Sequence, residues 1–304
     1  MKHSARAVIP IPDCDDSARF DPNSRGLSDV DSFVTEILAD LRNNRLVLPT
    51  LPNLAININR AVSSDNFNAK KIARLISSDP AVSVNIIRAV NSPMLRGNTK
   101  IDSVQMAVTR MGSNTVRNIV TAVLVKQLFS SKNKILKKML SKIWTHSTHV
   151  AALSHILATK CSSISPDEAM VAGLLHDIGK LPIIAKATKI PNLDKNIHIL
   201  NSVLDKLHPT LGAAILKSWD FPQYIATAVA EHENMKRDSE ALDHTDIVMV
   251  ADIHSHLTTP GYVPIDLNTI PALKKLSLDS DTSIQILKDA HEEMLEIQKM
   301  LLAS

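Results

Sequence analysis

The chain is poor in several residue types, and each shortage excludes a class of protein. Among 304 residues there are only two cysteines, Cys14 and Cys161. This pair matches neither a disulfide framework nor a zinc-knuckle spacing. Only seven glycines are present, and none of them forms a phosphate-cradling loop, a dinucleotide-binding fingerprint or a nucleophile elbow. The sequence therefore offers no support for a domain stabilised by disulfides, a protein with a glycine-rich nucleotide-binding loop or a serine hydrolase.

Aromatic side chains, excess charge and long apolar runs are also scarce. Aromatic residues make up 3% of the chain, and 34 Lys and Arg oppose 31 Asp and Glu. A surface for base stacking is therefore small, and a near-zero net charge gives no reason to expect nucleic acid as a partner. No apolar run has the length of a membrane span, and residues 1–20 lack the apolar core of a signal peptide. We expect a cytoplasmic protein without a membrane or nucleic-acid partner.

The apolar residues that are present repeat at helical spacing, which predicts an all-α fold. Asp79 followed by Pro80 is typical of a helix start, and Gly112 is typical of a helix end. Residues 1–27 are polar and punctuated by proline, which predicts a flexible N-terminal extension. The C-terminal segment carries an apolar stripe that predicts either packing within its own domain or a homodimer helix. The residues of this stripe are Leu287, Ala290, Met294, Ile297 and Leu301.

The most informative segment reads AMVAGLLHDIGKLPII and places His176 beside Asp177 at the end of an apolar helical run. Burying two adjacent polar groups, one of them charged, is costly unless something compensates them. A divalent metal compensates both, because imidazole nitrogen and carboxylate oxygen are ligands of zinc, iron and manganese. The doublet therefore predicts a metal site.

Other candidate ligands lie in apolar helical sequence elsewhere in the chain: His146, His208, His232 and Asp252. Side chains that project from several helices into one cavity form the usual metal site of a helical bundle. The alternative is that His208 and His232 anchor the core, and His149, one turn beyond His146, competes with it as the first ligand. Lys180 would either hold a phosphate over the metal or simply interact with a helix C-terminus. With so few cysteines, we expect one or two ions of Fe, Mn or Zn.

His146, the His176-Asp177 doublet and Asp252 resemble the ligand series of the HD superfamily of metal-dependent phosphohydrolases. The segments LPTLPNLA, SSDPAVSVNIIRAVNSP, IDSVQMAVTRMGSNTVRNIV, IWTHS and HPTLGAAILKSWDFP further resemble the HDOD domain, an HD-related output domain of bacterial signalling proteins. The resemblance covers about residues 45–258. It implies a two-lobed all-α fold with an HDOD-specific lobe at 28–138, an HD-like metal-binding lobe at 139–258 and a helical extension at 259–304.

The resemblance implies two possible functions. The first is a signal-transduction module that binds metal and engages a signalling protein partner or a small phosphorylated ligand. The second is a metal-dependent phosphohydrolase acting on a nucleotide or other phosphoester, in which Asp177 orients the attacking water and Lys180 stabilises phosphate charge. HDIGK is also similar to the HD-GYP phosphodiesterases. However, the sequence after His232 lacks the paired histidine and the Gly-Tyr-Pro loop of that family, which argues against hydrolysis of cyclic di-GMP.

Overall fold

The fold was described from a computed structural model, which covers residues 25–62, 68–92, 99–187, 197–257 and 266–303. The regular elements of these residues are all helical, which confirms the all-α prediction. Two short 3-10 helices, Lys126–Phe129 and Leu267–Thr269, accompany the α-helices. The α-helices are α1 Arg25–Arg42, α2 Asn53–Val62, α3 Ala69–Ser77, α4 Pro80–Val90, α5 Val104–Met111, α6 Ser113–Val125, α7 Lys134–Cys161, α8 Pro166–Leu175, α9 Lys180–Ala187, α10 Ile197–Ser218, α11 Gln223–Glu231, α12 His244–His256, α13 Pro271–Lys275, α14 Ser280–Asp289 and α15 His291–Ala303.

Local chemistry sets the ends of the early helices. The Asp79 side chain accepts a hydrogen bond from the backbone N–H of Val82 at 3.0 Å, and Pro80 occupies the first position of α4. Ser103 caps α5 in the same way, through the N–H of Met106. Gly112 ends α5 with a φ of +79°, a left-handed conformation that favours glycine. The predicted start at Asp79 and end at Gly112 are therefore confirmed.

The helices of the second half surround α7. Helix α7 packs against α8, α12 and α15, while α10 packs against α9 and α11. Residues 169–175 of α8 and 245–255 of α12 are all buried, so most of each helix lies inside the molecule. This packing brings the ends of α8 and α11 close to the middle of α7, α10 and α12.

The first helix bridges the two halves of the sequence. Helix α1 begins at Arg25, earlier than the predicted boundary at 28, and packs against α10. Lys186, near the end of α9, forms ion pairs with Glu36 and Asp40 of α1. Residues 1–24 of the predicted flexible extension lie outside the described residues, and the proposed division at residue 138 remains a prediction.

Two helix predictions differ from the structure. The segments NIHILNSVLDKL and TLGAAILKSW, which His208 and Pro209 separate, each predict a helix of their own, but residues 197–218 form one continuous helix. Proline removes one backbone hydrogen bond and disfavours a helix interior, but packing of α10 on α1, α9 and α11 holds the helix together. The C-terminal stripe is divided at Ala290 between α14 and α15. Four of its five residues are buried, and α15 packs against α7 of the same chain; a homodimer remains a prediction.

The length and apolar content of a helix decide whether it can span a membrane. Among the helices described here, none is both long enough and apolar enough to span a bilayer.

Candidate metal centre

The His176-Asp177 doublet lies where α8 ends. Ser165 caps the start of α8, and Ala169 to Leu175 are all buried. After Leu175 the chain continues as a tight turn in which the N–H of Lys180 donates to the carbonyl oxygen of Asp177 at 3.0 Å. His176 and Asp177 are both 1% exposed. The helix end thus carries two polar side chains into the interior, as the sequence predicts.

The turn that follows the doublet lies directly against α10. A Cβ atom built on Gly179 would lie 1.9 Å from the carbonyl oxygen of His208 and 2.5 Å from the backbone nitrogen of Gly212. Only glycine permits this approach without displacing backbone. Gly179 therefore sets the distance between the doublet and His208.

Three helices contribute the first group of possible ligands. The Nε2 atom of His146, in α7, lies 3.1 Å from Nε2 of His176 and 3.1 Å from Oδ1 of Asp252, in α12. Nε2 of His176 lies 3.7 Å from the same oxygen. Oδ2 of Asp177 approaches both histidines, at 3.7 Å from His146 and 3.5 Å from His176. Ligand atoms of His146, His176 and Asp252 thus lie within 4.8 Å of one another, and an oxygen of Asp177 lies beside the two histidines.

A second group adjoins the first. The Nε2 atoms of His208, in α10, and His232, at the end of α11, lie 3.1 Å apart. Oε1 of Glu233 lies 3.6 Å from His208 and 3.9 Å from His232. Oδ1 of Asp177 lies 3.4 Å from His208. The two oxygens of Asp177 therefore face different groups, and this carboxylate is placed between them.

Glu233 is the residue of this second group that the sequence analysis did not single out. It directly follows His232 in AVAEHE, so the His-Glu pair at the end of an apolar helix repeats the pattern of the His-Asp doublet. The side chain is 46% exposed, unlike the buried ligands around it. The adjacent pair is the signal that would have identified it.

The histidines are oriented by their second ring nitrogens. Nδ1–H donates to a backbone carbonyl oxygen in three cases: His176 to Gly173 at 2.7 Å, His208 to Leu204 at 2.8 Å and His232 to Val229 at 3.0 Å. Such a bond fixes the tautomer and leaves the Nε2 lone pair directed at the centre. This is the arrangement of histidines that ligate metals.

The distance between the Nε2 atoms of His208 and His232 can be compared with the distance expected around a metal ion. Because both Nδ1 atoms donate to carbonyls, each ring in its neutral form directs an Nε2 lone pair at the other ring across 3.1 Å. Burial lowers the pKa of His208 to about 4, so this ring is neutral at pH 7. A cation between the rings removes the repulsion. Two imidazoles at right angles about an ion, each at ~2.1 Å, would place their nitrogens about 3 Å apart. The donor set therefore fits a metal ion.

The carboxylates are held in their ionised form. Burial alone would raise the pKa of Asp177, but His176 and Lys180 hold it well below its usual range. The same balance applies to Asp252, whose pKa is lowered by its hydrogen bond to His146 against the effect of burial. Burial lowers the pKa of His176 to about 3. Ionised carboxylates and neutral imidazoles are the forms that bind metal.

Lys180 lies closer to the doublet than the sequence indicates. Its Nζ donates to Oδ2 of Asp177 at 2.6 Å. Burial lowers the pKa of Lys180, but the interactions with Asp177 and the neighbouring carboxylates raise it by more than burial lowers it. The net shift is therefore upward, and the ammonium stays charged. The lysine thus balances the charge of Asp177, and its contact with a phosphate remains a prediction.

Other histidines take different places. His149 belongs to neither ligand group, so His146 is the residue of α7 that reaches the centre. His256 lies on the outer side, with Nε2 3.5 Å from Oδ1 of Asp252 and its ring centre 5.0 Å from that of His146. His155 is buried in α7 away from both groups, and its Nδ1 has no hydrogen-bond partner among the described residues.

His155 gives a pH dependence that is separate from metal. Burial lowers its pKa in the folded protein, whereas the unfolded chain binds the proton near pH 6.5. The unfolded state therefore binds more protons as the pH falls below 6.5, and the free energy of unfolding decreases. We expect His155→Leu to reduce this acid sensitivity in chelator-treated protein, measured by urea unfolding from pH 7 to pH 5. An unchanged slope of stability against pH would contradict this assignment.

Comparison with known proteins agrees with the all-α fold. Residues 48–235 match the model of the HDOD domain. The chain belongs to the HDOD domain family. An uncharacterized protein from Treponema pallidum is 24% identical over 222 residues, which are 70% of this chain and 42% of that protein. The chain thus spans less than half the length of this relative.

Solved structures share the HDOD architecture. A candidate metal-dependent phosphohydrolase from Shewanella amazonensis is 25% identical, with a TM-score of 0.76 over 90% of this chain and 99% of that one. A candidate signal transduction protein from Marinobacter aquaeolei is 18% identical, with a TM-score of 0.57 over 91% of this chain and 65% of that one. The second likeness concerns the fold alone.

Proposed function

We propose that this HDOD protein is a metal-binding signal-transduction module. The observation that carries the proposal is the pair His208 and His232, whose Nε2 atoms lie 3.1 Å apart and are placed to ligate one cation. The ligand residues are His146, His176, Asp177, His208, His232 and Asp252, together with Glu233. Because Asp177 directs one oxygen to each group, the site holds two ions. Nitrogen and oxygen ligands favour iron, manganese or zinc.

Two features support a regulatory role. The Marinobacter aquaeolei protein of the same fold is a candidate signal transduction protein. A groove of about 710 Å³ also lies between the segment after α1 and the end of α10, where it is lined by Leu46, Leu48, Pro52 and Trp219. Val47 in that segment is 80% exposed. An apolar groove between the first lobe and the end of α10 is the kind of surface that a module engaging a partner needs.

A second candidate function is phosphoester hydrolysis in the cytoplasm. It is favoured by solvent access, because the side chain of His146 is 22% exposed and that of Glu233 is 46% exposed. The Shewanella amazonensis protein is a candidate metal-dependent phosphohydrolase, which agrees with this function. A divalent ion would supply Lewis acidity towards a phosphoryl oxygen. Asp177 would orient the attacking water, and the Lys180 ammonium would stabilise phosphate charge beside it.

An activity assay separates the two functions. The metal-loaded wild type and the variant His176→Ala/Asp177→Ala would be tested with bis(p-nitrophenyl) phosphate and p-nitrophenyl phosphate in the presence of Mn²⁺, Fe²⁺ or Zn²⁺. We expect metal-dependent thermal stabilisation of the wild type alone, with no more turnover than in the variant. Turnover that the variant lacks would establish the hydrolase, and the absence of stabilisation by any of the ions would contradict both functions.

A further inference from the structure

A second polar pocket lies apart from the metal ligands, between α6 and the start of α11. It encloses about 210 Å³ and is lined by Arg117, Asn118, Thr121, Asp220, Phe221, Pro222 and Ile225. A water molecule takes ~30 Å³ in the liquid, so the space suits a molecule of a few heavy atoms. No ligand of the metal centre lines it.

The pocket contains a buried hydrogen-bond donor without an acceptor. Asn118 is 5% exposed, and its Nδ2 has no hydrogen-bond partner within the part of the chain that the structure describes. Its Oδ1 faces Nε of Arg117 at 3.4 Å, so the amide nitrogen is the atom left over. An unsatisfied buried donor destabilises the folded state unless a bound group accepts a hydrogen bond from it.

Arg117 adds positive charge to the same pocket. Among the described residues, its guanidinium forms no ion pair with a carboxylate, and its one side-chain hydrogen bond is the long contact with Asn118. A planar guanidinium with free N–H groups is suited to bind a carboxylate or phosphate through two parallel bonds.

Pro222 and Ile225, at the start of α11, also line the pocket. Pro222 occupies the capping position and provides no side-chain hydrogen bond to the first N–H groups of the helix. These groups carry partial positive charge and favour an anion. Arg117 and Asn118 therefore offer donors to one small volume.

Asp220 restricts the kind of anion. It adopts a left-handed conformation, with φ of 58°, at the turn that joins α10 to α11, and it lines the pocket at an exposed position. Its carboxylate repels a phosphate dianion but accepts a hydrogen bond from an ammonium or hydroxyl group. We propose that this pocket binds a small carboxylic acid that also carries an amino or hydroxyl group. The acid lies against Arg117 and Asn118, and the second group lies against Asp220.

Calorimetric titration of the full-length protein with glycine, lactate, acetate and inorganic phosphate tests the proposal. We expect glycine or lactate to bind saturably at millimolar concentration, at least about ten-fold more tightly than acetate or phosphate. Arg117→Gln removes the charge, and Asn118→Asp replaces the donor with an acceptor of nearly the same shape. Each variant should weaken binding by about ten-fold or more, which is ~1.4 kcal/mol. Arg74→Gln, which removes an exposed arginine of α3, should bind like the wild type.

Several results would overturn the proposal. These are the absence of saturable binding by both glycine and lactate, equal binding of acetate or phosphate, or binding that survives both pocket variants. Circular dichroism and metal-dependent stabilisation of each variant show whether the fold is retained. Should Asn118→Asp fail to fold, Arg117→Gln decides alone, because Arg117 is only partly buried.

Discussion

Replacing Asp177 with alanine will remove bound metal from both ligand groups and lower the thermal stability of the metal-loaded protein. The reason is its position, with one carboxylate oxygen towards His146 and His176 and the other towards His208. At a metal concentration ~1,000-fold above Kd, bound metal stabilises the folded state by about 4 kcal/mol. For a chain of this size, losing it lowers the melting temperature by on the order of 10 °C. Elemental analysis and thermal unfolding with and without chelator would measure both effects.

The matched control for Asp177→Ala is His155→Ala. His155 is also buried and polar, but it lies outside both ligand groups. Its replacement should cost stability equally with and without metal and leave the metal content unchanged. If Asp177→Ala kept its metal, the doublet would serve as a buried ion pair with Lys180 and the proposed centre would be wrong.

Gly179→Ala will destabilise the protein by about 3 kcal/mol or more and will impair metal binding. The added methyl group would lie 1.9 Å from the carbonyl oxygen of His208 and 2.5 Å from the backbone nitrogen of Gly212. Both are backbone atoms, so α10 must move as a whole. That movement displaces His208 from His232 and Asp177. Urea unfolding and a metal titration of the folded variant would measure the two effects.

Gly112→Ala provides the comparison, because its cost has a different origin. A Cβ at Gly112 would meet no atom within 4 Å, but the residue has a φ of +79°. The conformational cost of alanine there is about 1–3 kcal/mol, and metal binding should be unaffected since Gly112 lies in the first half. A smaller loss of stability for Gly179→Ala, or unchanged metal binding by that variant, would show that the turn does not set the position of α10.

Much of the fold could be predicted from local sequence. Asp79 with Pro80 and Gly112 mark helix ends by chemistry that acts within one turn of helix. The continuity of α10 across His208 and Pro209 could not be predicted from local sequence, because it depends on the packing of α10 against three other helices. The C-terminal apolar stripe indicates a buried face, but it does not show the break at Ala290, where α14 ends and α15 begins.

The candidate site was predictable in its residues but not in its arrangement. Adjacent His176 and Asp177 identify the centre because two buried polar groups need a partner. The sequence does not show that Asp177 lies between two groups or that Glu233 completes the second one, because those relations depend on how α10 and α11 meet. The backbone hydrogen bonds that orient the histidine rings likewise exist only in the folded chain.

The most direct test of the central claim is the metal content of the wild-type protein after purification without added metal and after loading with iron, manganese or zinc. We predict about two ions per chain after loading, bound through nitrogen and oxygen ligands. Their loss should follow from the double substitution His176→Ala/Asp177→Ala. A wild type that stays metal-free after incubation with all three metals would contradict the proposed centre.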